Sequence, residues 1–486
     1  MTICDSKIRL LDESIQGANQ MAPRVPFLFV PCSIGTLAFV AYVVYLSSSS
    51  LYVVPESQLK LQCGPVEGFP KRLRVYISDL EREMNYGLLE DYWSKQDSRN
   101  ADHEDEPRNR YAKMEYPPYP SNPLIKQYSA EYWLLADLLS PSNGLAQRVG
   151  RPEDADVIFV PFFATLSAEM QLDRGKAKFR HKTQQNADYL RQRKVLDLIK
   201  SSPAWKASHG RDHVFVLTDP VAMWHVREEI SSALLLVVDF GGWYMEDSKA
   251  SSDDATGMIQ HTQVSLLKDV IIPYTHLLPT LNISEDHPRE TLLYFKGARH
   301  RHRGGLVRDK LWSLLDKEPH FVIEEGFPNS MGREQSIQGM RNAGFCLHPA
   351  GDTPTSCRLF DAIASLCIPV IISDNIELPF EGMIDYTKFS VFVSVHDALQ
   401  PKWLVNHLKA ISATQRRKMR ENMAQVQHIF EYENNYPGGI GPAVRDGAVS
   451  HIWKKILFKV PSIKEMIVRE WRKPNGSHIP VRCHCT

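Results

Sequence analysis

Net charge is the first thing this chain lacks. Lys and Arg total 57 among 486 residues, and Asp and Glu also total 57. Such a balance supplies no global field toward nucleic acid or acidic lipid, so no nucleic-acid partner is expected. Cysteine is sparse at 8, and no Cys-x-x-Cys pair occurs. The nearest approach to a metal spacing, Cys483-His484-Cys485, needs further ligands from elsewhere and reads as a tail or a disulfide partner. The pairing of the cysteines stays open. No Gly-x-Ser-x-Gly elbow and no His-Glu-x-x-His helix is present, so neither hydrolase signature applies. Paired carboxylates for glycoside hydrolysis remain open on sequence, but parallel α/β layers and cationic loops fit them poorly. There is no internal repeat at solenoid periods.

Charge is also missing locally. Residues 25–46 are rich in Phe, Leu, Val and Ala, and none is charged. The stretch is long enough to cross a bilayer as a helix. Pro26 and Pro31 near its start bend the helix or delay its onset. A cleaved signal would be shorter and closer to the N-terminus, so an uncleaved single-pass anchor is expected. Lys7, Arg9 and Arg24 precede the run, and no basic residue follows it until Lys60. That asymmetry predicts a cytosolic tail over 1–24 and a lumenal body. Two sequons, at Asn282 and Asn475, are compatible with a lumenal location. Residues 47–70, with four consecutive serines, read as a stem.

The length suggests two domains. Over 71–288, apolar runs alternate with helical patterns, which predicts parallel α/β layers. Strands are expected at 73–77, 157–160, 214–217, 233–238 and 270–272, and a helix at 128–139. Asp154 and Asp156 copy a metal-binding Asp-x-Asp spacing. They precede a strand, the wrong end for a ligand, and read as turn and capping residues. Residues 111–123 hold four prolines among tyrosines, which suits either a surface loop or an acceptor-facing aromatic wall. Residues 176–201 read as one long solvated helix. His213 reads as a packed core histidine.

A second domain is expected over 289–430, with a return helix and tail over 431–486 and helix at 443–458. Its first strand, 292–295, runs into a loop bearing Lys296, Arg299, Arg301 and Arg303, with Arg308 in the next helix. Cations at a strand-to-helix junction suit an anion clamp, and a solvated basic loop is the alternative. Residues 344–393 read as β–loop–α–β. The loop carries Gly351, Asp352, Thr353, Thr355 and Ser356, with Arg358 opening the helix and Ser356 or Thr355 as its N-cap. Such a loop suits a diphosphate, and a generic packed α/β core is the alternative. Asp374 and Glu377 follow the next strand and suit sugar or ribose hydroxyls.

This stretch resembles the C-terminal signature of the exostosin-like glycosyltransferases, family 47, of plant cell-wall biosynthesis. Pro349, Gly351, Ser356, Arg358, Phe360, Asp361, Ala362, Ile368, Pro369, Val370, Pro379 and Phe380 carry the match. Leu366 departs from it, standing where most members have Gly. Weaker matches precede it: the strand and acid ending at Asp79, the Tyr128-x-x-Glu131 helix start, and the acidic turn and strand 153–161. The Gly-Arg-Asp-His lead at 210–213, Lys268–Pro273, and Phe295, Gly297 and Arg308 complete the set. The usual Asp-Ala pair before the last helix is replaced by Arg445-Asp446-Gly447. The resemblance covers roughly residues 71–460 and is similar to the plant branch described as arabinosyltransferases.

It implies an α/β fold of two Rossmann-like domains facing across a cleft, the GT-B type. It further implies a Golgi type II glycosyltransferase using a nucleotide sugar, with a UDP-pentose expected. Inverting transfer to a cell-wall polysaccharide or glycan follows from the same likeness. No metal cofactor is required, because arginines and a helix N-terminus can hold the diphosphate. Arg308, Arg358 and the loop residues Gly351, Asp352, Thr353 and Ser356 are the expected donor-binding groups, with Arg299 a lesser candidate and Glu377 for ribose or sugar. The base is expected from the first domain: Asp219, Asp79 or Glu131, with Asp219 favoured by its place past a strand's carboxyl end. Further partners would be other glycosyltransferases. The competing reading is a noncatalytic membrane-anchored partner or glycan-binding subunit. The intact Gly351, Ser356, Arg358 and Glu377 argue against it.

Overall fold

A computed structural model describes residues 72–99, 111, 114–141, 144–239, 244–245, 258–259, 264–300, 305–326, 330–351, 353–374 and 376–474. The expected tail, anchor and stem lie outside these residues, as do Asp352, Arg301, Arg303, Asn475 and the Cys483–Cys485 tail. No described helix is long and apolar enough to cross a membrane.

Thirteen strands are described. β1 (Leu73–Ile77), β2 (Ala146–Arg148), β3 (Val157–Phe159), β4 (His213–Leu217) and β5 (Leu234–Val237) come first. A short antiparallel pair follows, β6 (Tyr244–Met245) with β7 (Met258–Ile259), and then β8 (Val270–Ile271). The second group is β9 (Thr291–Lys296), β10 (Phe321–Glu324), β11 (Ala343–Pro349), β12 (Ile368–Ile372) and β13 (Val391–Val393). They form two parallel sheets, ordered β2-β1-β3-β4-β5-β8 and β10-β9-β11-β12-β13. Strands buried on both faces read as unbroken apolar runs, which is why His213–Leu217 and Ile368–Ile372 are buried at every position. Register pairs Val214 with Leu234 in one sheet and Phe345 with Ile368 in the other.

Six helices position the rest: α1 (Ala130–Leu139), α2 (Ala164–Arg174), α3 (Gly305–Leu315), α4 (Ser330–Asn342), α5 (Cys357–Ala364) and α6 (Ala448–Trp471). α6 begins later than expected and runs well past 458, through Pro461. It returns to the first sheet's side. Trp453 donates its indole N–H to Asp137 at 2.9 Å, and Lys464 reaches Asp156 at 2.7 Å. The single helix expected over 176–201 is broken into Lys176–Phe179 and Ala187–Ser201, the latter capped by Asn186. The tyrosine–proline stretch is packing rather than an open wall: Tyr116 abuts Tyr86, and Trp93 donates to the Pro118 carbonyl at 2.8 Å.

The Asp-x-Asp pair is committed to cations. Asp154 pairs with Arg151, and buried Asp156 receives Arg74 and Lys464. Burial opposes ionisation of Asp156, yet those two cations hold its pKa down to about 2. His213 is buried in β4 between Asp212 and the Trp205 ring. Gly210 has φ +79, and a Cβ there would meet Trp205 at 2.4 Å, so the lead into β4 needs glycine.

Leu366 shows why glycine is usual at its position. It sits just past α5 with φ +53, where a side chain crowds its own backbone. Its side chain is fully buried, so core packing offsets that strain. The next residue, Cys367, is disulfide-bonded to Cys346 across a separation of 21 residues. Closing a loop of that length stabilises by about 3 kcal/mol through the unfolded chain. A Cys346→Ala/Cys367→Ala variant should therefore lose about 3 kcal/mol in urea unfolding. An unchanged midpoint would show that the bond contributes nothing.

Candidate active site

The carboxyl ends of both sheets meet at one cleft of about 380 Å³. Tyr128, Asp219 and Tyr274 line it from the first sheet's side. Lys296–Ala298, Arg308, Gly351, Thr353, Thr355, Ser356 and Arg358 line it from the second, with Gly332, Arg333 and Ser336 of α4. Ligands of open α/β sheets collect at such strand ends.

Two arginines form the cationic wall. Arg308, in the first turn of α3, is 4% exposed. Its guanidinium donates to the carbonyls of Ala350 (3.1 Å), Ala298 (3.1 Å) and Pro349 (3.3 Å), tying the loops after β9 and β11 together. Arg358 donates to the Lys296 carbonyl at 2.9 Å and the Ser356 hydroxyl at 3.2 Å. Both lie over the Phe295 ring, at 5.7 and 5.3 Å from its centroid. Two glycines admit them. A Cβ on Gly351 would stand 2.4 Å from Arg308, and one on Gly297 would stand 2.7 Å from Arg358.

Ser356 occupies the N-cap position of α5 but makes no side-chain cap, because its hydroxyl accepts from Arg358. The Thr355 hydroxyl, on a residue 3% exposed, has no partner among the described residues. A buried hydroxyl without a partner in a cleft is a waiting ligand contact. Beneath the wall, His348 is fully buried. Burial, then Arg358 and Arg308, push its pKa down to about 3, so it stays neutral.

The opposite wall is acidic. Asp219 follows β4 and is 5% exposed. Its carboxylate accepts from the Val221 N–H at 2.7 Å. Burial raises its pKa, against that bond and the nearby Glu169 of α2, Arg227 and Tyr128. Asp239 braces the loop from this side, accepting from the Thr355 N–H at 2.7 Å.

The cleft thus brings together Arg308, Gly351, Thr353, Ser356, Arg358 and Asp219. Other expected residues sit elsewhere. Asp79 is exposed after β1 and does not line the cleft. Glu131 is wholly buried and accepts from the Thr165 and Leu166 N–H groups, both at 3.0 Å, and from Tyr119. It closes the N-terminus of α2, an anchoring task that a Tyr-x-x-Glu pattern does not reveal. Arg299 turns to Asp309 at 2.6 Å and stacks on Trp312, because that acid lies one turn into the adjoining helix. Glu377 pairs with Glu381 away from the cleft, and burial raises its pKa. Sequence reading missed Asp239 and Tyr274, which reach the site only through the fold. Among the described residues, no group of three or more His, Cys, Asp or Glu could hold a metal ion.

Residues 70–408 match the Exostosin GT47 domain. Probable arabinosyltransferase ARAD1 of Arabidopsis thaliana is 34% identical over 489 aligned residues, covering 95% of this chain and 98% of that protein. Probable beta-1,4-xylosyltransferase IRX10L, from the same plant, is 26% identical over 67% of this chain and 75% of its own length. Probable glucuronosyltransferase Os03g0107900 of Oryza sativa subsp. japonica is 27% identical over 70% and 71%. The crystal structure of TarM aligns at TM-score 0.27 and 11% identity, over 55% of this chain and 58% of that one, and adds nothing to the fold.

Two substitutions test the anchoring role of Glu131 and the close approach of Gly351 to Arg308. Glu131→Ala strands two buried N–H groups and should cost about 1–3 kcal/mol in thermal or urea unfolding. Gly351→Ala should instead displace Arg308, at a cost of about 1–3 kcal/mol from overpacking. Equal stability of either variant and the parent would overturn the corresponding assignment.

Proposed function

This chain belongs to the exostosin GT47 family and is a glycosyltransferase, and we propose that it transfers a pentose from a UDP-sugar to a cell-wall polysaccharide or glycan. The observation that carries this is the pair of fixed arginines facing a carboxylate across one cleft. The pentose, arabinose first, rests on the printed name of the 34% identical relative. The two parallel sheets support a GT-B arrangement.

In this reading Arg308, Arg358, the 351–356 loop and the N-terminus of α5 hold the diphosphate, with the Thr355 hydroxyl as an added contact. Asp219 takes the acceptor proton, and the sugar inverts because acceptor and diphosphate stand on opposite walls. The arginines carry the leaving charge, so no metal is needed. The body is lumenal, behind a single-pass type II anchor at 25–46 in the Golgi membrane. A disulfide within the second sheet supports an oxidising compartment. Asn282 supports one too: it is exposed in a turn where its side chain accepts from Ser284, open to glycosylation.

The test is thermal shift of the full-length protein with UDP- and GDP-sugars, with chelator or Mn²⁺. A shift with UDP-arabinose that survives chelation is expected. Arg358→Ala should weaken it about 10- to 100-fold in apparent affinity, as for loss of a charged hydrogen bond. No shift with any nucleotide would overturn the transferase mechanism in favour of a noncatalytic partner. A shift only with Mn²⁺ would overturn metal independence.

A further inference from the structure

The loop between β11 and α5 is held partly by itself and partly by the other half of the protein. Gly351 donates its N–H to the Thr353 carbonyl at 2.9 Å, and the Thr353 hydroxyl donates to the Thr355 carbonyl at 2.8 Å. The Thr355 N–H goes elsewhere. It donates to Asp239 Oδ2 at 2.7 Å, across a separation of 116 residues. Asp239 follows β5 in the first sheet, so a carboxylate of the first half fixes a loop residue of the second. Both residues are buried, Asp239 at 7% exposure and Thr355 at 3%.

Thr355 is then left with one group over. Its N–H and its carbonyl are bonded, and its hydroxyl has no partner among the described residues. A hydroxyl offers one donor and two acceptor sites, and burying it unbonded is costly. Thr355 lines the cleft beside Ser356 and Arg358. A β-branched side chain has few χ1 states, so a held backbone leaves the hydroxyl few positions.

The charge of Asp239 is not what an anionic ligand at this end of α5 would need. A carboxylate there gains from the helix dipole but repels a diphosphate drawn to the same end. What Asp239 supplies to the loop is an acceptor oxygen in a fixed place.

We propose that Asp239 is a positioning residue of the donor site, holding the Thr355 backbone so that the Thr355 hydroxyl meets a phosphate oxygen of a nucleoside diphosphate. This rests on the transfer reading above. It gives the first half a part in donor binding as well as in acceptor chemistry. Asp239 does not touch the donor; it acts through Thr355.

The test compares full-length parent with Thr355→Val, Thr355→Ser, Asp239→Ala, Asp239→Asn and the Asp239→Ala/Thr355→Val double variant. The first readout is calorimetric titration with UDP, which needs no turnover. Thr355→Val removes the hydroxyl and keeps the shape. It should bind UDP about 10- to 100-fold more weakly, as for a lost bond to a charged group. Thr355→Ser should retain most of the parent's affinity. Asp239→Ala should weaken UDP about 10-fold or more. Asp239→Asn should recover that loss, because its amide oxygen can accept the same N–H. Because Asp239 acts through Thr355, the double variant should bind UDP about as weakly as Thr355→Val alone.

The second readout is release of UDP from UDP-arabinose in the presence of glycan acceptor. In Thr355→Val and Asp239→Ala the KM for the donor should rise while the KM for the acceptor stays, a split that general loosening of the fold would not produce. Parent-like UDP affinity in Thr355→Val would overturn the proposal. So would an Asp239→Asn variant as weak as Asp239→Ala, or full additivity in the double variant, either of which leaves Asp239 a structural group. The expected pattern of UDP affinities without turnover by the parent would overturn the transfer reading and leave the positioning role standing. No binding of UDP by the parent would overturn both.

Discussion

A guanidinium taken out of water is costly unless every face of it finds a partner. The second half of this protein is arranged around solving that problem for Arg308 and lessening it for Arg358. Arg308 is met by three backbone carbonyls that the ends of β9 and β11 leave unpaired, and both lie against the Phe295 ring. Lys296 and Arg299 pair with Glu324 and Asp309. At Arg308 and Arg358 the loops contribute backbone carbonyls and the Ser356 hydroxyl.

The first half makes the complementary choice. Its carboxylates near the cleft are buried and braced by N–H and hydroxyl donors: Glu131 by α2 and Tyr119, Asp219 by Val221, Asp239 by Thr355. Strand order places β4 and β5 next to each other, so Asp219 and Asp239, each just past a strand's carboxyl end, project at the same rim. One meets the cleft and the other meets the loop across it. An acidic rim thus stands opposite a cationic one across the cleft.

Much of this was legible in residue order. The apolar runs of both sheets, the Gly-Asp-Thr-Pro-Thr-Ser loop and its following Arg358 announce themselves, because parallel strands are continuous and the loop is polar. The edge strands β2 and β10 did not, since Ala146–Arg148 is largely exposed and Phe321–Glu324 only partly buried. Choosing among carboxylates was harder still. Sequence favours Asp219 over Glu131 only by its place past a strand's end, and only the fold shows that Glu131 seals a helix end. The return of α2 beside the end of β4, where the Asp219 N–H donates to the Thr165 hydroxyl at 3.2 Å, is a contact that no spacing rule encodes. Arg299 failed for a local reason: it pairs with Asp309 in the adjoining helix.

Buried contacts tie the two walls of the cleft together. The 351–356 loop and α5 are gripped from the first half at Thr355 by Asp239. They grip back through Asp361, which accepts the Leu277 and Leu278 N–H groups at 2.6 and 3.1 Å, and Cys357, whose thiol reaches the Thr275 carbonyl at 3.3 Å. Exposed ion pairs such as Arg193–Asp197 and Arg417–Glu421 add little in water. Buried carboxylate-to-amide bonds are stronger and directional. They tie the positions of Arg358 and Thr355 to the linker leaving β8, and so to Tyr274. The same backbone that carries the acidic rim therefore sets how far away the cationic one stands.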